Sequence, residues 1–295
     1  MSRSSPYPSF VDRRPLDADG LQRALVTPDG LWTRVEVREE TPSTNSDVAA
    51  AARAGEPEGL VVAAEWQTAG RGRLGRGWSS PPRAGLAVSV LLRPGAAVPR
   101  RGWPAVVPTA YGWLPLLAGV ALVDAVRRTA GLPAHVAVEV KWPNDLLVGG
   151  AKCAGILAET VPADPAPAVV LGIGLNVTLR DDELPPRGTG LPATSLLLAG
   201  ATVTDRDLLL RELLRALAHW YARWRATGGD ARACGLREAY VERCATIGRE
   251  VRVILPSPGA ELVGVATGID DDGRVVVRVD GEERSVAAGD ILHLR

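Results

Sequence analysis

Apolar and polar residues follow three textures along the chain. The first 20 or so residues, MSRSSPYPSFVDRRPLDADG, show no periodicity, and residues 1–25 read as a loosely attached extension. Between there and residue 245, helix-like and strand-like runs are mixed. Residues 31–39 alternate as a half-buried strand does, and TPSTN then offers Ser43 or Thr44 as N-cap for an Ala-rich helix ending near Gly55. Residues 59–65 and 86–92 read as strands flanking a Gly- and Arg-rich loop, and residues 113–129 as a helix halted at Gly131. Strands are expected at 136–141, 145–148 and 153–160, the last two joined by Gly149-Gly150, and at 168–179 as one long strand or a pair. Thr204 and Asp207 resemble a capping box for an amphipathic helix to Ala226, and a second helix is expected over 231–245. Beyond Thr246, five short strands recur at roughly ten-residue spacing (249–255, 262–269, 274–279, 282–287, 291–294), with Asp272-Gly273 and Asp280-Gly281 as hairpin turns. Some 50 residues of this kind make a small β barrel.

Composition narrows the class. A chain of 295 residues, 46% apolar and 23% charged, is long enough for a large domain and a small one. The divisions expected are 1–25, 26–245 and 246–295. The best membrane candidate, residues 113–126, is short and interrupted by Pro115 and Asp124, and the polar N-terminus carries no secretory signal, so a cytoplasmic protein is expected. Cys153, Cys234 and Cys244 contain no C-x-x-C, which fits reduced thiols. Lys+Arg and Asp+Glu are 34 each, so no global charge draws the chain to DNA or to a membrane.

Of the 34 basic residues only Lys141 and Lys152 are lysines, and Asn45, Asn144, Asn176, Gln22 and Gln67 are the only side-chain amides. Where Arg, Asp, Glu or Ser serves as well, a biased composition replaces these types, so the survivors mark positions that resist substitution. Six of the seven fall in four segments: STN at 43–45, QTAGRGRLGR at 67–76, KWPNDLLVGGAK at 141–152 and GIGLN at 172–176.

Gly70-Arg71-Gly72-Arg73-Leu74-Gly75 matches G-x-G-x-x-G after a strand, but Gly77, Ser79, Ser80, Pro81 and Pro82 follow and leave no room for the helix that a dinucleotide site requires. The loop instead suits close backbone approach to an anion, with Arg71, Arg73 and Arg76 able to clamp phosphate or carboxylate. A lysine kept among arginines points to a compact ammonium contact. Trp142 and Pro143 read as scaffold, Asp145 by residue type as a turn-former, and Cys153 as a small buried residue. The three histidines are scattered, which suggests neither a metal site nor a nucleophilic dyad.

The ordered series STN, Q-x-A-G-R-G-R-x-G-R-x-W, K-W-P-N-D, K-x-A-G-I-L-x-E and G-I-G-x-N resembles the biotin protein ligase family over roughly residues 31–295. Leu74 departs from it where many members carry a further basic residue, and the short N-terminal segment resembles the enzyme-only type without a DNA-binding domain. The resemblance implies an α+β fold: a mixed-sheet catalytic domain with helices packed on it and a C-terminal SH3-like barrel. It implies ATP-dependent attachment of biotin, through biotinyl-5′-adenylate and with Mg²⁺, to a lysine of the biotin carboxyl carrier domain of acyl-CoA or pyruvate carboxylases. Residues implied to hold biotin are Ser43, Thr44, Asn45, Gln67, Gly70, Arg71, Gly72, Arg73, Lys152 and Gly155. Those implied for ATP or the adenylate are Arg71, Arg73, Arg76, Trp78, Asn144, Lys152 and Asn176. Catalytic roles fall to Arg71, Arg73, Lys152 and Asp145, and no metal ligand is assigned. A lipoate or octanoate ligase or transferase shares this fold and is the nearest rival. A non-enzymatic nucleic-acid-binding protein using the arginine loop is the distant one.

Overall fold

The computed structural model describes residues 13–164, 166–186, 191–255, 260–287 and 289–294. The larger unit is a seven-stranded sheet in the order β1-β2-β3-β7-β6-β5-β4. Its strands are β1 (Arg34–Thr41), β2 (Leu60–Gln67), β3 (Gly85–Leu92), β4 (Val138–Lys141), β5 (Asp145–Val148), β6 (Ala151–Val161) and β7 (Ala168–Asn176). β1 and β2 are parallel, because α2 (Thr44–Arg53) crosses between them, and the remaining pairs are antiparallel. The sheet is therefore mixed.

Alternation along the strands sends two sets of side chains to two unequal cores. Val169, Leu171, Ile173 and Leu175 of β7 face the larger core, under α3 (Trp113–Thr129) and α4 (Arg206–Ala226). α3 is apolar nearly all round, and the core takes up that whole surface. On the other face Val170 packs under α2 with Val48, Ala49, Ala52, Val62 and Leu91. Along β7 the positions that follow on this face are Gly172 and Gly174, so the sheet lies open where the helix no longer covers it.

The small unit is a five-stranded antiparallel sheet in the order β11-β10-β9-β8-β12. It comprises β8 (Glu250–Ile254), β9 (Glu261–Ile269), β10 (Val275–Val279), β11 (Glu282–Val286) and β12 (Asp290–His293), in agreement with the expected barrel strands. Asp280 and Gly281 both have positive φ (51° and 87°), the conformation a two-residue hairpin turn needs. Two buried indoles dock the unit: Trp113 Nε1 donates to Asp271 O (2.7 Å) and Trp142 Nε1 to Gly273 O (3.1 Å). Trp142 is scaffold, as its surroundings in the sequence indicated.

Three expectations need correction. The presumed loose extension is packed from residue 13 onward, while residues 1–12 lie outside the described residues. α1 (Ala18–Leu25), capped by Asp17, buries Leu21 and Leu25. The buried Glu65–Arg206 pair (2.7 Å) holds the segment before it, through Leu16 N–H to Glu65 and Arg206 to Arg14 O. Gln22, the amide outside the four motifs, accepts from Val35 N–H (2.8 Å) and ties α1 to the edge strand. At α4 the N-cap is Asp205, accepting from Leu208 N–H (2.9 Å), while Asp207 is taken by Asp17 N–H. The helix expected over 231–245 shortens to α5 (Leu236–Glu242), because Gly235 at φ 75° breaks the run.

Candidate active site

The open patch of sheet becomes a cleft walled by the N-terminus of α2, the arginine loop and the β5–β6 strands. Its floor is glycine by necessity. A Cβ on Gly172 would lie 1.9 Å from Asn45 Oδ1, one on Gly174 2.4 Å from the Trp78 ring, and one on Gly155 3.2 Å from the same ring. The G-I-G of β7 and the glycine of A-G-I-L on β6 are cross-strand neighbours that leave one flat surface.

One end of the cleft is neutral, and a hydrogen-bond network runs through it. Ser43, Thr44 and Asn45 are buried at the start of α2, where Thr44 N–H donates to Gln67 Oε1 (2.8 Å). Thr44 Oγ1 stands 2.7 Å from Ser89 Oγ, which donates to Asn45 Oδ1 (2.6 Å), and Asn45 Nδ2 donates to Glu159 Oε2 (2.7 Å). Both ends of the Asn45 amide are thus held, so its orientation toward the cleft is set before a ligand arrives.

The other end is cationic. The loop from Gly70 to Trp78 folds back on itself, with Trp78 N–H on Gly70 O (2.9 Å) and Gly72 N–H on Arg76 O (2.6 Å). Arg71 reaches Glu159 (3.1 Å), Arg73 reaches Asn144 Oδ1 (3.2 Å) and Gly289 O (3.4 Å), and Arg76 reaches Asp290 (2.9 Å). Burial depresses the Arg73 guanidinium below its usual range and neighbouring Arg76 adds to this, while Asp290 and Asp145 oppose it. Lys152 enters through a bulge. The register between β5 and β6 shifts after Leu146, which puts Lys152 on the face of Gly155 instead of the opposite one, and its Nζ lies 2.6 Å from Asp145 Oδ1. Asp145 itself opens β5 opposite Lys141, so it is a strand residue in an ion pair as well as the end of a turn.

Most residues expected at the site line this cleft: Ser43, Thr44, Asn45, Gln67, Arg71, Gly72, Arg73, Arg76, Trp78, Asn144, Lys152 and Gly155. Four are placed differently from expectation. Trp78, expected at the nucleotide, lies over the glycine floor. Gly72 spends its N–H on Arg76, and Gly70 closes the loop instead of facing the cleft. Asn176 does not line the cleft. It donates to Thr194 O (2.9 Å) and steadies the segment whose backbone brackets Lys152, through Lys152 N–H to Pro192 O (2.8 Å) and Thr194 N–H to Lys152 O (2.9 Å). Ser89 and Glu159 went unassigned in the sequence, although a lone serine in the apolar run of β3 and the final glutamate of K-x-A-G-I-L-x-E were visible signals.

Residues 38–176 match the biotin/lipoate A/B protein ligase family, and residues 246–294 match the biotin protein ligase C-terminal domain. The chain is 42% identical to a biotin–[acetyl-CoA-carboxylase] ligase of Mycobacterium tuberculosis, over 96% of its own length and 97% of that protein. The chain belongs to the biotin protein ligase family. A second ligase with the same description, from Paracoccus denitrificans, is 32% identical over 85% of this chain and 97% of that one. The fold is shared with the Aquifex aeolicus biotin protein ligase solved in complex with biotin and ATP, at TM-score 0.66 and 22% identity, covering 90% of this chain and all of that one. The family motifs therefore have a structural meaning in this ligase fold: STN and Gln67 build the neutral end, the arginine loop and Lys152 the cationic end, and the glycines the floor between them.

Proposed function

We propose that the chain attaches biotin, at the expense of ATP, to a lysine of the biotin carboxyl carrier domain of an acyl-CoA or pyruvate carboxylase, through biotinyl-5′-adenylate. The observation that carries the reading is one continuous cleft, neutral and hydrogen-bonding at one end and cationic at the other, in a chain of this family. The neutral end suits the head group of biotin, which offers uncharged donors and acceptors. Its carboxylate then points to Lys152, Arg71 and Arg73.

In the first step a carboxylate oxygen bonds to the α-phosphorus of ATP, and the bond from that phosphorus to the bridging oxygen breaks as pyrophosphate leaves with the electron pair. Two anions must meet, so fixed cations away from bulk water lower the barrier. In the second step the carrier amine attacks the acyl carbon, loses a proton and releases AMP. Asp145, beside Lys152, is the group we assign to orient that amine and accept its proton. Asp145 and Asp290, the carboxylates nearest the phosphate path, are each paired with a cation, and no cluster of three or more metal-ligating side chains occurs among the described residues. Mg²⁺, as part of this reading, would arrive with ATP and would supply positive charge against the phosphates. A cytoplasmic setting belongs to the same reading, since ATP and reduced thiols are found there.

The test is pyrophosphate release from ATP and Mg²⁺ with and without biotin, followed by streptavidin detection of a recombinant carrier domain. Biotin-dependent release that lipoate does not replace is expected. Release independent of biotin, or driven equally by lipoate, overturns the reading.

A further inference from the structure

Glu159 lies on β6 two residues beyond Leu157, on the face that bears Gly155, and stands behind the neutral end of the cleft without lining it. One oxygen of its carboxylate, Oε2, accepts from both Asn45 Nδ2 (2.7 Å) and Arg71 (3.1 Å). A carboxylate paired with a guanidinium only accepts, and that property fixes the direction of each hydrogen bond that follows. Asn45 has to present its NH₂ group, which also meets Leu157 O (3.4 Å), so its Oδ1 is turned to Ser89. Ser89, fully buried on β3, spends its one proton on that oxygen (2.6 Å). The 2.7 Å contact between Ser89 Oγ and Thr44 Oγ1 then closes only with the Thr44 hydroxyl as donor. Gln67 Oε1 is left to the Thr44 N–H (2.8 Å).

We infer that Glu159 is the positioning residue that sets the donor and acceptor pattern of the neutral end, and so selects a head group that brings N–H groups to it. The inference rests on the reading of that end as the place of the biotin head group. Thr44 Oγ1, its proton spent on Ser89, is an acceptor toward a ligand, and Gln67, its Oε1 occupied, has only its NH₂ group to offer. A cyclic urea, with N–H beside C=O, meets both, whereas the dithiolane of lipoate brings no N–H group. Without the carboxylate the Asn45 amide is free to turn over and the two hydroxyls to reverse. Molecules in the reversed order then offer a donor where an acceptor is needed. A chain of hydrogen bonds that ends on a charge is also reinforced along its length. The same oxygen holds Arg71, so the arginine loop rests on the group that orders the head-group end.

Glu159→Gln keeps the size of the side chain and removes the obligatory acceptor, and the position is partly exposed, so the fold tolerates the change. Labelling asparagine with ¹⁵N gives only three side-chain amides, those of Asn45, Asn144 and Asn176, so Asn45 is read by itself. In the free protein the variant should move the Asn45 amide upfield and speed its exchange with water roughly tenfold, as loss of a charge-assisted bond does, with Asn144 and Asn176 unchanged. Calorimetry should show the biotin Kd raised roughly tenfold in Glu159→Gln and in Ser89→Ala, and the double variant within about twofold of the weaker single one, because one chain is broken at two links. An Asn45 amide that does not respond, a biotin Kd in Glu159→Gln close to wild type, or losses that multiply in the double variant each overturn the inference. Wild-type protein that binds no biotin fails the functional reading instead, whatever the amides show.

Discussion

Lys152 Nζ and Asp145 Oδ1 lie 2.6 Å apart across a bulged pair of strands. The only lysine within reach of both the glycine floor and the arginine loop is thus held by the carboxylate that would serve the second chemical step. An arriving carboxylate or phosphate competes for the same ammonium, so the pair is a resting contact from which Lys152 is drawn toward substrate.

Lys152→Ala should reduce adenylate synthesis by about 10² to 10³. Lys152→Arg should restore little of it, since the wider guanidinium has to fit between Asp145 and the Gly155 floor. Pyrophosphate release measures both, and near-wild-type release in Lys152→Arg would show that a compact ammonium is not required.

Asp145→Asn keeps the shape and removes the base. Transfer from preformed biotinyl-adenylate to carrier should slow by about 10² or more, with adenylate synthesis far less affected. Single-turnover rates for the two steps separate the roles. Equal falls, or none, would reduce Asp145 to a structural partner of Lys152.

Gly172→Ala places a methyl group against Asn45 Oδ1. Asn45 must move, and its bonds to Ser89 and Glu159 break with it. Losing one or two such buried bonds weakens biotin binding by roughly 10- to 100-fold. Calorimetry with biotin alone reads this, and an unchanged Kd would mean that Asn45 does not define the head-group end.

The arginine loop is clipped to the small domain through Arg76 and Asp290 and through Arg73 and Gly289. Asp290→Ala should therefore expose Arg71, Arg73 and Arg76 to trypsin faster than in wild type, with biotin plus ATP restoring protection. Equal cutting of variant and wild type would show that the clip does not hold the loop.

His293 Nε2 lies 3.1 Å from Thr246 Oγ1, and Thr246 in turn accepts from Trp142 N–H (3.1 Å). The folded ring takes up a proton only near pH 4, whereas a free histidine does so near 6.5. The unfolded chain therefore binds more protons between those values, and folding stability falls as pH drops through that window. Over the same range Tm should fall less in His293→Gln than in wild type, as scanning calorimetry at pH 7 and pH 5 would show.

Residues close in sequence were enough to determine much of this protein. Helix Trp113–Thr129, strand Asp145–Val148 and the five late strands follow from periodicity and turn chemistry, and the scarcity of Lys, Asn and Gln marked both ends of the cleft. What the sequence withheld depends on partners far along the chain. α1 is short, with a buried stripe of only Leu21 and Leu25, and owes its place to Glu65, Arg206 and Gln22. Asn176 sits in a motif with the binding residues and, by alternation, on the face of Gly172 and Gly174, yet the segment at 192–196 engages its amide through Thr194 O and it does not line the cleft. A one-residue bulge decides which face Lys152 occupies, and the docking of β12 leaves Lys141 buried along the wall of an open pocket instead of on the surface. Local propensity records which residues are kept. Facing, burial and counterions are properties of the assembled sheet, because each is set by what lies opposite in space.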